Sequence, residues 1–443
     1  MPHTTTGRTH HRLMTSIVVA ALLLTAGCAP GAGPAKPPPM RAIVGGGTET
    51  DKFLGVAVAA DGGIVAVGGA SSTDGDFPPG NGRDDALIAN YSPDGTKQWA
   101  KTTGGSDVDV FRDVAVASDG SIIAVGYTAS ADGGFPPSHG QRDALIVKYD
   151  PDGTQAWAKT TGGSGPDSFW GVAVAGDGSI IAVGDTESTD GDFPPSQGKS
   201  DALIVKYDPD GTQTLAKTTG GSNDDGFWGV AVASDGGIIA VGYAHSTDGD
   251  FPPSQGKSDA LIVKYDPDGT RQWAITSGGT DSDYFASVAV AGDGSIIAGG
   301  YTYSTDGDFP PSHGKSDALM ARYGPDGTPA WATTTGGDGN DVFSGVALAS
   351  DGSIIAAGQT LSTNGDFPPT HGESDALIVN YGPYATQAWA KTLGGTDSDY
   401  FIHVTVASDG SIIAAGWTAS TGGDFPPTHG KEDALIVVLS PDA

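Results

Sequence analysis

Asp185, Glu187 and His245 are the one titratable set that departs from an otherwise repeated pattern of acids and hydroxyls. A carboxylate pair with an imidazole on a neighbouring unit is the minimum for general acid–base work, and a hydrolase or lyase would draw on it. Nucleophilic catalysis would need a single asymmetric Ser–His–acid constellation. Serines and aspartates abound here, but nearly all recur at the same place in every copy of a repeat, as residues that fold a chain do. The sequence therefore reads as non-catalytic, and no catalytic residue is assigned. His139, His313, His371 and His429 share one repeat position, where the other copies carry Asn81, Gln197 or Gln255. A ring of metal ligands would not alternate with glutamine, so these are surface histidines. Asp190-Gly191-Asp192 and its equivalents offer oxygen ligands of the kind calcium takes, yet the spacing fits no EF-hand loop. One copy, with Asp132 and Gly134, has lost a carboxylate. Turn chemistry is the expectation there, with no metal and no cofactor.

A second chemistry is recognition. Arg112, Tyr127, Trp170, Asp185, Glu187, Trp228, Tyr243, His245, Tyr301, Tyr303 and Trp417, with Tyr284 and His403, occupy positions that vary from copy to copy. Exposed aromatics with a few charges suit the grip of a protein loop or a glycan. The competing reading is drift at exposed positions that bind nothing.

These residues are positioned by a repeat of 58 residues, led by Phe53, Phe111, Phe169, Phe227, Phe285, Phe343 and Phe401 without insertion or deletion. A period in this range means a solenoid, a propeller or an array. Each unit contains four short runs rich in Val, Ile, Ala and aromatics, bounded by turns such as Ser118-Asp119-Gly120 and Asp150-Pro151-Asp152-Gly153, and none has a helical period. The first two runs are apolar nearly throughout, as expected where both sheet faces are buried. The fourth, around Trp157, alternates like a half-exposed outer strand. Seven four-stranded antiparallel blades make an all-β propeller. The seventh unit lacks its fourth run, and the segment ahead of Phe53, with Ala42-Ile43-Val44, is expected to supply it and close the ring. The span 38–443 is then seven whole periods. In such blades the start of strand one, the end of strand two, the long Phe-Pro-Pro loop and the interblade link emerge together, so one face is diverse and the other is nearly invariant turns.

The segment GYTxSTDGDFPP…DALIVKYDPDGTQAWAKTTGGS followed by VAVASDGSI resembles the bacterial SBBP β-propeller repeat, over about residues 44–443. The resemblance implies a propeller on an exported or surface protein and brings no catalytic residue with it. A weaker likeness to quinoprotein propellers rests on a Trp after a Gly turn alone.

Residues 1–27 read as an export signal, with Arg8 and Arg12 ahead of an apolar core, residues 17–24, too short to span a bilayer. Thr25-Ala26-Gly27-Cys28 resembles the lipobox of bacterial lipoproteins, with Thr25 where that family usually has Leu, Val or Ile. It implies cleavage before Cys28 and lipid on its sulfur and amine. The alternative is a plain secretory signal with an incidental cysteine, although Cys28 is the sole cysteine of the chain. A proline-rich tether, residues 28–37, precedes the propeller. The formal charge is −31, and loss of Arg8 and Arg12 takes it to −33. That balance argues against nucleic acid or an anionic lipid surface as partner. The sequence thus reads as an envelope lipoprotein, held to the membrane through Cys28, whose variable face binds an envelope or extracellular protein. The alternatives are a glycan-binding module and, behind it, a hydrolase or lyase on the same face.

Overall fold

Proline, aspartate and glycine at fixed offsets cut each 58-residue copy into four strands, and blade 2 shows how. Its first strand, Asp109–Val116, ends in a turn where Asp119 Oδ1 accepts the Ser121 N–H at 2.9 Å and Gly120 takes φ +83°. The second strand, Ile122–Thr128, leads through the long loop to the third, Asp143–Tyr149. A second turn, with Gly153 at φ +80° and Asp152 Oδ1 accepting the Thr154 N–H at 2.8 Å, opens the fourth, Gln155–Thr161. The computed structural model describes residues 39–441, which form seven four-stranded antiparallel sheets and contain no helix. The protein is a seven-bladed β-propeller. The export signal, Cys28 and the tether lie outside the described residues.

The ring closes as the missing fourth run requires. The N-terminal strand, Met40–Gly45, pairs antiparallel with Asp433–Leu439, from Met40 opposite Leu439 to Gly45 opposite Ala434. The junction so formed is built like the others. Glu432 accepts the Asp51 N–H at 2.8 Å, as Asp84 accepts the Asp109 N–H at 2.7 Å one junction on.

Each apolar cluster joins two neighbouring blades: Val65, Val67, Ala86 and Ile88 of blade 1 pack on Phe111, Ile122, Leu145 and Tyr149 of blade 2. The lead phenylalanines are 0–1% exposed, each edge-on to the phenylalanine of its own Phe-Pro-Pro loop, with ring centroids 5.8 to 6.5 Å apart. Such pairs add about 0.5–1.5 kcal/mol each beyond area burial. They pin the long loop, and with it the diverse face, to the blade core.

One expectation needs correction. The most buried strands are the second and third, not the first and second: Ile122–Val125 and Ala144–Val147 are inaccessible, whereas Asp113 and Val116 on the first strand are partly open. The first strands line the central channel, so one of their faces meets solvent. Every first strand also carries a β-bulge one place after the lead Phe; Phe111 pairs with Gly126, but Asp113 pairs with Val125. An extra residue of this kind bends a strand and re-aims its side chains.

Candidate binding site at the channel mouth

The bulge decides what faces the channel. A central cavity of about 420 Å³ is lined by residues one to four places after the lead Phe from all seven blades, among them Leu54, Arg112, Trp170, Trp228, Ser344 and His403. At the second place Gly55, Gly171, Gly229, Ser287 and Gly345 are small, while Asp113 and His403 project. Asp113 Oδ1 stands 3.7 Å from His403 Nε2. Asp113 also ties two blades, since its Oδ2 accepts the Val172 N–H of blade 3 at 2.9 Å. Burial pushes its carboxyl above the usual range, and the imidazole of His403 opposes that shift.

Around the mouth, the residue before each lead Phe pairs across strands with the end of the second strand: Val110 with Tyr127, Ser168 with Asp185, Gly226 with Tyr243, Tyr284 with Tyr301, Tyr400 with Trp417. Cross-strand neighbours on one face touch, and aromatic pairs are among the strongest. The result is a belt. Trp228 lies 5.3 Å from Tyr284 in a stacked pair and 5.1 Å from Tyr243. Tyr284 continues to Tyr301 at 5.0 Å, and Tyr301 to Tyr303 at 5.9 Å. Tyr400 stacks on Trp417 at 5.2 Å, and the Lys52 ammonium sits 4.2 Å over that indole. At the other end the Arg112 guanidinium lies 4.5 Å over Trp170 and 5.4 Å from Tyr127, which Arg142 also faces at 5.2 Å. Trp170 Nε1–H donates to Asp185 Oδ1 at 2.8 Å.

The sequence-selected residues therefore gather on one end of the propeller, most of them half-buried in the belt, with Tyr303 39% exposed. Burial raises the carboxyl of Asp185, chiefly, against its bond to Trp170; burial and the charge of Asp185 raise that of Glu187. His245 does not join them. Its Nδ1 faces Asp224 Oδ2 at 4.0 Å, while Asp185 is engaged by Trp170 and, at 3.4 Å, by Ser200. Asp185 and His245 thus have separate partners rather than one shared proton path. Asp113, Tyr400, Lys52 and Arg142 are site residues that the sequence reading passed over. Asp113 was findable as the one acid in a column of glycine, serine and histidine.

The repeated polar groups build the scaffold. Asp190 Oδ1 accepts the Ser164 N–H at 2.8 Å, and Asp192 Oδ2 the Gly162 N–H at 3.2 Å, so the loop acids bind the interblade link. Asp109 takes the Gly105 N–H and the Ser130 hydroxyl, both at 2.8 Å, and the Thr128 hydroxyl. The ring nitrogens of His139, His313, His371 and His429 approach the buried Asp143, Asp317, Asp375 and Asp433 at 3.2, 3.4, 2.9 and 2.8 Å.

No family model matches the chain. Over 307 residues it is 24% identical to the regulatory protein FlaEY of Caulobacter vibrioides, covering 60% of this chain and 32% of that protein. Over 379 residues it is 23% identical to the WD repeat-containing protein L264 of Acanthamoeba polyphaga mimivirus, covering 75% and 26%. The chain thus spans about a third or less of the length of these curated relatives. Among solved structures, the WD40 domain of Neurospora crassa Pan2 aligns with a TM-score of 0.49 at 9% identity, covering 88% of this chain and 90% of that one. A Dyadobacter fermentans protein of unknown function aligns at 0.44 and 11% identity, covering 91% and 99%. The blade count rests on the chain's own strand pairing.

Proposed function

We propose that this chain is a non-catalytic envelope scaffold, lipid-anchored at Cys28, which binds an envelope or extracellular protein on the channel-mouth face. The observation that carries the binding reading is the belt of aromatic groups around the channel mouth. Copy-to-copy variation is concentrated there, while the turns of the opposite face keep an Asp-Gly chemistry in nearly every copy, Tyr384-Ala385 being the exception among the described residues. Tryptophan, tyrosine and arginine are the residues on which binding energy concentrates in protein interfaces, and a rigid scaffold presenting variable positions is how propellers serve as platforms. The anchor is supported by Cys28, the sole cysteine of the chain, standing at the end of the lipobox-like segment.

The test is capture of envelope proteins by the chain and by its Trp170→Ala/Trp228→Ala variant, both checked for fold by circular dichroism. The reading expects a specific partner lost with the double variant. An unchanged set of partners would overturn it, and retention of defined sugars on a glycan array by the parent chain alone would replace the protein partner with a glycan. For the anchor, radiolabelled palmitate on the parent and none on Cys28→Ala is the expected result.

A further inference from the structure

The belt has three aromatic groups, and two of them are already matched with a cation and an acid. In blades 2 and 3 the Arg112 guanidinium covers Trp170, whose indole N–H is held by Asp185. At the junction of blades 7 and 1 the Lys52 ammonium covers Trp417 and pairs with Glu432 at 2.8 Å. The third group is Trp228, Tyr243, Tyr284 and Tyr301. Among the described residues no lysine or arginine stands over any of these four rings. It nevertheless has acids near it: the charges of Asp185, Asp224 and Asp225 act on the Tyr243 hydroxyl, which burial first pushes up, and Asp224 stands at the surface with the exposed Lys199 at 3.7 Å and His245 at 4.0 Å facing it. Glu187 is exposed and feels Asp185, Arg142 and Asp224 in that order. Two neighbours, Trp228 and Tyr284, are stacked at an interplanar angle of 16°, so the surface is preformed.

From this pattern we infer that the partner docks a positively charged side chain, an arginine for preference, on the Trp228–Tyr243–Tyr284 surface beside Glu187 and Asp224. The inference rests on the binding reading above and adds the chemistry of the partner. Cations are attracted to the faces of tryptophan and tyrosine, most strongly where water is excluded. A guanidinium lies flat on a ring and still offers its edge donors to carboxylates, which an ammonium does less well. Arg112 over Trp170 shows a guanidinium seated on an indole within the chain one blade earlier. At longer range the chain's charge of −31 steers cationic segments inward and repels acidic ones.

The probe is a synthetic peptide with two arginines in a glycine–serine background, compared with the same peptide carrying citrulline, which keeps the shape and loses the charge. Both are titrated into the purified full chain by calorimetry. The arginine peptide is expected to bind about tenfold more tightly. Glu187→Gln/Asp224→Asn should lower its affinity by about fivefold to tenfold. Asp152→Asn/Asp210→Asn, an equal charge change on the opposite face, should leave it unaltered. Equal binding of the citrulline peptide, or equal loss in the two double variants, would overturn the inference, the second by showing non-specific attraction. Capture of a partner that is abolished in Trp170→Ala/Trp228→Ala but unaffected in Glu187→Gln/Asp224→Asn would leave the binding face standing and remove the cationic partner.

Discussion

Asp113 of blade 2 and His403 of blade 7 stand 3.7 Å apart within the channel, although the whole of blade 1 lies between them in the ring. Blade 1 contributes only Gly55 at that level, and a Cβ there would come within 2.8 Å of the Asp113 backbone. Two single substitutions in the repeat, acid for glycine and imidazole for glycine, thus meet because the blades are arranged in a circle.

Asp113 also accepts the Val172 N–H of the next blade at 2.9 Å, and Ser287 does the same for Val346 at 3.1 Å two blades further on from there. Asp113→Ala is expected to lower stability by about 1 kcal/mol, and Asp113→Ser to recover at least half of that, because a hydroxyl preserves the interblade bond. Urea midpoints of the three proteins check this. Equal midpoints for the alanine and serine variants would remove the bond as the cause.

Acidification should first stabilise the propeller. Asp109, Asp167, Asp283, Asp341 and Asp399 at the blade junctions have carboxyls raised above their ordinary value, chiefly by burial. An acid raised by folding holds its proton more tightly in the folded state. Its stabilisation is fully present below the unfolded pKa and is lost as pH rises through the folded one. The exposed turn acids Asp119, Asp152, Asp177 and Asp210 shift downward, held by hydrogen bonds from the Ser or Thr two places on. Their contribution is present above the unfolded pKa and disappears as pH falls through the lowered one. Melting temperature should therefore rise as pH falls from neutrality through the raised carboxyls toward the ordinary carboxylate range, and fall again below that range. A monotonic decline from neutrality would contradict the junction assignment.

Ala385 is the one non-glycine residue with positive φ among the described residues, at +58°. Its counterparts Gly95, Gly153, Gly211, Gly269 and Gly327 hold φ between +80° and +84°. Alanine resists this region for lack of room beside its Cβ, so Ala385→Gly is expected to stabilise by about 1 kcal/mol. The readout is the shift in thermal midpoint.

Removing residues 40–45 would unpair the outer edge of Asp433–Leu439, which the N-terminal strand covers along its length. An open, apolar edge pairs with other chains. The truncated chain should elute as oligomers and melt early. An unaltered monomer with the parent's melting curve would show that closure contributes little.

The architecture was legible because the repeat is regular where folding is concerned. The lead phenylalanines, the turn glycines and the paired aspartates each recur, and all are buried or at φ near +80° to +90° in the turns they define. The closing strand could be found by counting, since its absence from the seventh copy and its presence ahead of the first are the same fact. What escaped notice depends on geometry that the period does not encode. The bulge after the lead Phe leaves no residue signature, so the division between Arg112 at the mouth and Asp113 in the channel was invisible. Tyr400 looked ordinary until its cross-strand partner, Trp417, was seen stacked on it at 5.2 Å. The burial order of the strands was misjudged because alanine and valine suit both a packed interior and a channel wall. His245 was grouped with Asp185 and Glu187 by rarity, and the structure gives it a different partner, Asp224.

The claim that the aromatic mouth is the face that binds is tested most directly by photocrosslinking in cells that express the protein. A photoreactive phenylalanine placed at Tyr303, on the belt, should yield a discrete adduct with a partner protein. The same probe at Asp152, on the turn face, should yield none. Adducts from Asp152 alone, or equally from both, would contradict the account.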